Sequence, residues 1–193
     1  LGSILAEFMG QYPSVQIQLT LEDRFIDPLA EGFDLTLRIA QPGATSPQLV
    51  VHELAMLPCL LCAAPNYLEH HGHPQTAQDL KNYSCLTYGE LTGRHEWLLE
   101  NTTETIRISI QGTLCSNNGE VLRDAAVQGL GIVLLPQFIV QECLQQGRLQ
   151  EIAIDAKPQS LSLCVMYPSN RHLSTKVQLL TAFLQNRLAA LGE

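Results

Sequence analysis

The stretch Cys115-Ser116-Asn117-Asn118-Gly119-Glu120-Val121-Leu122-Arg123-Asp124-Ala125-Ala126-Val127-Gln128-Gly129-Leu130-Gly131-Ile132-Val133-Leu134-Leu135-Pro136 decides how the rest of the chain is read. Ser116, Asn117 and Asn118 are the residue types that cap a helix, because their side-chain oxygens accept from its first amides. A short amphipathic helix follows, Gly129 turns it, and Ile132 to Leu135 is an apolar strand. The whole reads as one strand-helix-strand crossover. At its first junction backbone N–H groups and polar side chains face outward together, which suits a small polar or anionic ligand. This much points to a soluble α/β ligand-binding protein.

Working towards the N-terminus, Asp34 to Ile39 alternates, with Leu35, Leu37 and Ile39 on one side and Thr36 and Arg38 on the other. Phe25 to Glu31 reads as a brief helix stopped by Gly32. Val15, Ile17, Leu19 and Leu21 alternate with Gln16, Gln18 and Thr20, the pattern of a half-buried strand. Leu1 to Tyr12 reads as a helix with Ile4, Leu5, Phe8 and Met9 on one face, ended by Pro13. Strands alternating with helices favour parallel pairing.

The middle of the chain opens with a surface loop, Gln41 to Gln48. Leu49 to Ala63 is long and apolar, and Pro58 splits it into two strand segments meeting at a bend. Pro65 to Glu69 is a helical turn, and Thr76-Ala77-Gln78-Asp79 is a capped short helix. Cys85 to Tyr88 is a strand, and Gly89 to Glu96 a polar turn. Trp97 to Leu99 and Thr105 to Ile110 form a hairpin-like excursion.

Beyond Pro136, Gln137 to Gln146 is helical and Gly147 terminates it, while Leu149, Ile152 and Ile154 belong to an extended segment. Leu161 to Tyr167 is a strand. Ser174 caps a last helix whose Val177, Leu180, Phe183, Leu184, Leu188 and Leu191 form an apolar stripe. The bend at Pro58 and the strand at Leu161 are two crossings with a lobe between them. They imply one subdomain from residues 1–62 with 165–193, and a second from 63–164. Ligands of open α/β sheets bind at the carboxyl ends of strands, so the expected site is a cleft between the lobes.

With 193 residues, 46% apolar and 16% charged, the chain should fold as one or two compact units. No apolar run approaches the length of a membrane span, and no basic-then-apolar leader precedes the first helix. The net charge of −8, from 11 basic and 19 acidic residues without a basic run, implies that this polypeptide by itself binds DNA poorly. Six cysteines lie mostly within apolar strands and read as small buried thiols of a reducing compartment.

Other constellations read as structure. Cys59-Leu60-Leu61-Cys62 has redox or zinc spacing, but within a strand its thiols point to opposite faces and no second pair exists. His70-His71-Gly72-His73 lacks partners to complete a metal site and reads as a solvated turn. Ser116 has no base nearby in sequence, with His95 and His172 distant, and Gly129-Leu130-Gly131 ends a helix where a dinucleotide fingerprint would begin one. Catalysis is unsupported, and no cofactor or metal is implied. Trp97 reads most simply as a core anchor, with a wall of the cleft in the second lobe as the alternative.

Ala30-Glu31-Gly32-Phe33-Asp34-Leu35-Thr36-Leu37-Arg38-Ile39, Pro65-Asn66-Tyr67-Leu68 and Gly129-Leu130-Gly131-Ile132-Val133-Leu134-Leu135-Pro136, in that order and closed by the Leu173 to Leu191 helix, resemble the effector-binding domain of LysR-type transcriptional regulators. The resemblance covers nearly the whole chain. It implies two Rossmann-like subdomains with a cleft between them, akin to type 2 periplasmic binding proteins, in a cytoplasmic regulator that is not an enzyme. It implies a small, possibly anionic effector held by Arg38, Ile39, Thr87, Tyr88, Ser116, Asn117, Asn118 and Pro136. It further implies that DNA is bound only through an N-terminal winged helix-turn-helix outside these residues.

The resemblance also implies a homodimer or homotetramer, with Ile4 to Tyr12 and Gln16 to Leu21 of one chain facing Val121 to Gln128 and Gln137 to Cys143 of another. Members of that family enter the domain through a strand and a loop whose hydroxyl often touches effector. This chain begins at about the end of that loop, which would leave Val15 to Leu21 and Asp34 to Ile39 without a neighbour. An exported solute-binding protein shares the fold and is the alternative, against which six unpaired-looking cysteines count.

Overall fold

The computed structural model describes residues 1–22, 31–43, 48–89, 95–169 and 174–189. The chain divides into two compact units, Leu1–Met56 with Leu161–Glu193, and Leu57–Ser160. The divisions precede the expected 62/63 and 164/165. Strand pairing is the reason: Cys59 to Cys62 hydrogen-bonds into the second unit, and Leu161 to Cys164 into the first.

The first unit contains α1 (Gly2–Gln11), β1 (Thr36–Ala40) and β2 (Leu49–Leu57, its last residue reaching the second unit). The second contains β3 (Cys59–Ala63), α2 (Pro65–His71), a 3₁₀ turn (Ala77–Asn82), β4 (Cys85–Tyr88), β5 (Glu96–Glu100) and β6 (Thr105–Ser109). It continues through β7 (Cys115–Ser116), α3 (Gly119–Val127), β8 (Ile132–Pro136), α4 (Gln137–Gln145), β9 (Gln150–Glu151) and β10 (Lys157–Pro158). The chain then returns to the first unit with β11 (Leu161–Pro168) and α5 (Thr175–Ala189).

In the second unit a five-stranded sheet runs β7-β4-β8-β3-β9. Its central strands are apolar throughout because both faces are covered. Ile132 and Leu134 of β8, Leu61 and Ala63 of β3 and Cys85 of β4 face one core, shared with Tyr67, Leu68, Trp97 and Ile108. Val133, Leu135, Leu60, Cys62 and Leu86 face the other, shared with Leu122 and Ala126 of α3 and Val140 and Cys143 of α4. Each fully buried leucine or isoleucine here stabilises by roughly 1.5–3 kcal/mol through removal of apolar surface from water. The hairpin of β5 and β6 joins β10 in a separate three-stranded sheet, as the sequence pattern anticipates for its first two strands.

Two local contacts fix β4 and β8 side by side. Gly129 follows α3 at φ +80°, with the Asn66 side chain packed where a Cβ would stand, 3.1 Å away. Gly131 lies so close to the Ser84 carbonyl that a Cβ would come within 2.4 Å of its oxygen. The Tyr67 hydroxyl accepts from the Ser84 amide at 3.0 Å, tying α2 to the same point.

In the first unit the order is β1-β11-β2. Leu54, Val165, Tyr167 and Leu184 form its centre, packed by Ile4, Leu37 and Leu180. Phe8 meets Phe183 edge-on at 5.3 Å, and Glu7 pairs with Arg187, so α1 and α5 lie together.

Three differences separate the structure from the sequence pattern. Pairing is mixed: β4 is parallel to β7 and β8, but β3 and β11, the segments by which the chain changes units, are antiparallel to β8 and β1. Val15 to Leu21, expected as a half-buried strand, joins no ladder among the described residues. The turn at Pro65 runs on to His71, since the His70 and His71 rings donate from Nδ1 to the Asn66 and Tyr67 carbonyls and steady the last turn. Most of the helix expected at Phe25 to Glu31 lies outside the described residues.

Candidate functional site

The parallel strands β7, β4 and β8 all end at one edge of the sheet, and β3, being antiparallel, begins there. Tyr88 stands opposite Ser116, and Pro136 opposite Cys59. The edge therefore gathers the ends of four strands and the start of α3. The family resemblance names Thr87, Tyr88, Ser116, Asn117, Asn118 and Pro136 as effector contacts, and these six lie at this edge. Arg38 and Ile39 lie on β1 of the other unit, opposite Cys164 and Leu163. Arg38 is half-buried and Ile39 exposed.

The α3 start is built by short-range hydrogen bonds. Asn118 Oδ1 accepts from the Glu120 and Val121 amides at 3.0 and 3.1 Å, satisfying two donors that the helix itself leaves unpaired. Ser116 Oγ accepts from the Asn118 amide at 3.1 Å, and the Ser116 carbonyl accepts from Gly89 at 3.0 Å. Asn117 between them is exposed. Thr87 is buried and Tyr88 is 57% exposed, as alternation along β4 requires, while Pro136 is buried. Glu120 in the first turn already sets a carboxylate at the positive end of the helix, which weakens the pull of that end on a second anion.

Cys59 and Gly89 also belong to this edge, and the sequence singles out neither for it. The signal for Cys59 was pairing with Pro136, which no local pattern displays.

All six cysteines are free, and burial pushes the Cys62 and Cys85 thiols up to about 12. Leu61 and Cys62 face different cores, so Cys59 and Cys62, three apart on β3, point to opposite faces. Trp97 is buried in the core. The described residues contain no group of three His, Cys, Asp or Glu side chains able to hold a metal ion. His172 lies outside the described residues.

Two α/β units between which the chain passes twice, one with strand ends and a capped helix start converging at a polar edge, define a small-molecule-binding domain of the type 2 periplasmic-binding-protein class. The chain belongs to the LysR substrate binding domain family, which it matches over residues 1–189. It is 38% identical over 173 residues to an uncharacterised HTH-type transcriptional regulator of Haemophilus influenzae, covering 90% of this chain and 59% of that protein. It is 33% identical to the HTH-type transcriptional activator TtdR of Escherichia coli, covering 95% of this chain and 60% of that protein. The regulatory domain of AphB from Vibrio vulnificus superimposes with a TM-score of 0.74 at 29% identity, covering 95% of this chain and 91% of that one.

The chain thus spans about three fifths of the curated relatives' length. It is the effector-sensing domain of a regulator family. Those relatives favour that reading over an exported solute-binding protein, and the family is one of transcriptional regulators, not a class of enzyme. No described helix is long and apolar enough to cross a membrane.

Proposed function

We propose that the chain senses a small polar effector for a larger cytoplasmic DNA-binding transcriptional regulator. The observation that carries this is the polar edge where β4, β7 and β8 end and α3 begins, within a chain that belongs to an effector-sensing family. Asn117 and the Tyr88 hydroxyl are the exposed groups that meet the effector, and Ser116 and Asn118 hold the loop in place. Arg38 and Ile39, on β1 of the first unit, are further candidates carried over from the family pattern. Effector acts by its difference in affinity between two states of the domain, and DNA is bound by a segment outside these residues.

Self-association as a homodimer or homotetramer follows the family pattern. It is supported by exposed apolar side chains on the expected faces: Met9 and Leu19 on one, Val121 and Phe138 on the other, between 42% and 57% exposed. A thermal-shift screen of small carboxylates and other polar metabolites tests the reading. A compound that stabilises the chain should lose at least about tenfold in affinity, 1.4 kcal/mol, with Asn117→Ala. Binding that is indifferent to both Asn117→Ala and Tyr88→Phe would place the effector elsewhere.

A further inference from the structure

Asn118 is the only asparagine in the sequence that is followed by glycine. In such a pair the glycine nitrogen, unshielded by a neighbouring Cβ, attacks the asparagine Cγ. An N–Cγ bond forms, the glycine amide gives up its proton and ammonia leaves, which closes a succinimide ring. Water then opens the ring, at Cγ to give aspartate or at the main-chain carbonyl to give isoaspartate. The fold itself calls for both residues. Asn118 caps α3, and a Cβ on Gly119 would lie 2.7 Å from Ile139 Cδ1 and 3.5 Å from Leu135 Cδ2.

We propose that Asn118–Gly119 is a deamidation site that the α3 cap holds closed. Ring closure needs the Gly119 nitrogen swung towards the Asn118 side chain about the Asn118 Cα–C bond. The structure holds that bond at ψ 120°, within the extended region and about a third of a turn from closure. Turning it takes Oδ1 away from the Glu120 and Val121 amides. Either the Asn118 carbonyl must also leave the Leu122 amide, at 3.4 Å, or the Asn118 amide must leave Ser116 Oγ, at 3.1 Å. Amide loss therefore takes place from forms in which the helix start has opened, and its rate follows their population. An aspartate formed there regains the cap through a carboxylate oxygen, and the refolded chain carries one negative charge more at the polar edge. Isoaspartate moves a carbon from the side chain into the main chain and does not regain it.

The test incubates the 193-residue chain at mildly alkaline pH, folded and unfolded in guanidinium, and follows amide loss at position 118 by peptide mass spectrometry. The folded chain should lose the amide at least about tenfold more slowly than the unfolded one. Ser116→Ala frees the Asn118 amide from its acceptor, and this variant, checked for folding by circular dichroism, should deamidate about threefold faster than the folded parent or more. Both should react alike when unfolded. Equal rates in the folded and unfolded parent, or no amide loss in either, overturn the proposal without reference to the variant. A folded Ser116→Ala chain that deamidates no faster than the parent overturns it as well, because the cap is then not what holds the site closed.

Discussion

Replacing Asn118 separates its service to the fold from any service to the effector. Its Oδ1 accepts from two amides, at 3.0 and 3.1 Å, so Asn118→Ala leaves both donors to water. Glu120 is exposed, and hydration limits the loss to about 1 kcal/mol, the usual cost of removing an N-cap. For a chain of this size that is about 2–4 °C in melting temperature. Asn118→Asp keeps an acceptor oxygen in the same place. Its charge gains about 0.3–1 kcal/mol from the helix N-terminus, offset by repulsion from Glu120, so stability should stay within about 0.5 kcal/mol of the parent.

The aspartate nevertheless lacks the Nδ2 donor and adds a negative charge at the polar edge. Asn118→Asp should therefore weaken an anionic effector without weakening the fold, whereas Asn118→Ala lowers stability whatever the effector is. Urea denaturation followed by circular dichroism reads the first quantity, and titration of a screened effector reads the second. If Asn118→Ala were as stable as the parent, or Asn118→Asp as unstable as the alanine, the capping assignment would be refuted.

Other perturbations test separate parts of the structure. Gly131→Ala drives a methyl to 2.4 Å from the rigid Ser84 carbonyl and should cost about 2 kcal/mol or more, whereas Gly10→Ala, with open space around it on α1, should stabilise by about 0.5–1 kcal/mol; denaturation midpoints compare the two. Cys62 and Cys85, buried with thiols raised to about 12, should resist iodoacetamide at pH 8 in the folded chain and react only on denaturation, as peptide mass spectrometry will show. Asp79 is held below the ordinary carboxylate range chiefly by the Gln75 and Thr76 amides. Its stabilising contribution is fully present above the unfolded aspartate pKa of about 3.9 and is lost as pH falls through the lower folded value. Asp79→Asn should therefore flatten the acid limb of a stability-against-pH curve and leave its shape above pH 5 unchanged.

Elements with self-contained signals were legible in the sequence. The continuous apolar runs of β3 and β8 announce strands covered on both sides, and the structure sends alternate residues of each to two cores. The Asn118 cap and the Thr76–Asp79 capping box are written in a few adjacent residues and form as read. Strand direction is different, because the path of the chain sets it and local pattern does not. The antiparallel pairing of β3 and β11 follows from their roles as crossings, and alternation alone is blind to it. Val15 to Leu21 shows the same limit from the other side: its side chains alternate like those of a strand, but a strand is defined by a neighbour, which its own residues do not encode. Ser116, Asn117 and Asn118 were readable as a helix start because they sit at a local strand-to-helix boundary, whereas Thr87, Tyr88 and Pro136 were named from position in a family pattern. Arg38 and Ile39 were chosen by position in a family pattern, and β1 supplies no comparable junction.

Under the proposed function, capping and effector binding at Ser116 to Asn118 would be divided between atoms. Ser116 Oγ and Asn118 Oδ1 are committed to backbone amides, and the Ser116 carbonyl to Gly89, so these acceptors fix the loop before any effector arrives. Little ordering entropy then remains to be lost there on binding. On that reading, discrimination would fall to the groups projecting from the fixed loop and its neighbour, Asn117 and Tyr88. Both are exposed, and changing either leaves the capping bonds intact. The demand for a rigid edge and the demand for ligand discrimination would then be met by different residues of the same loop.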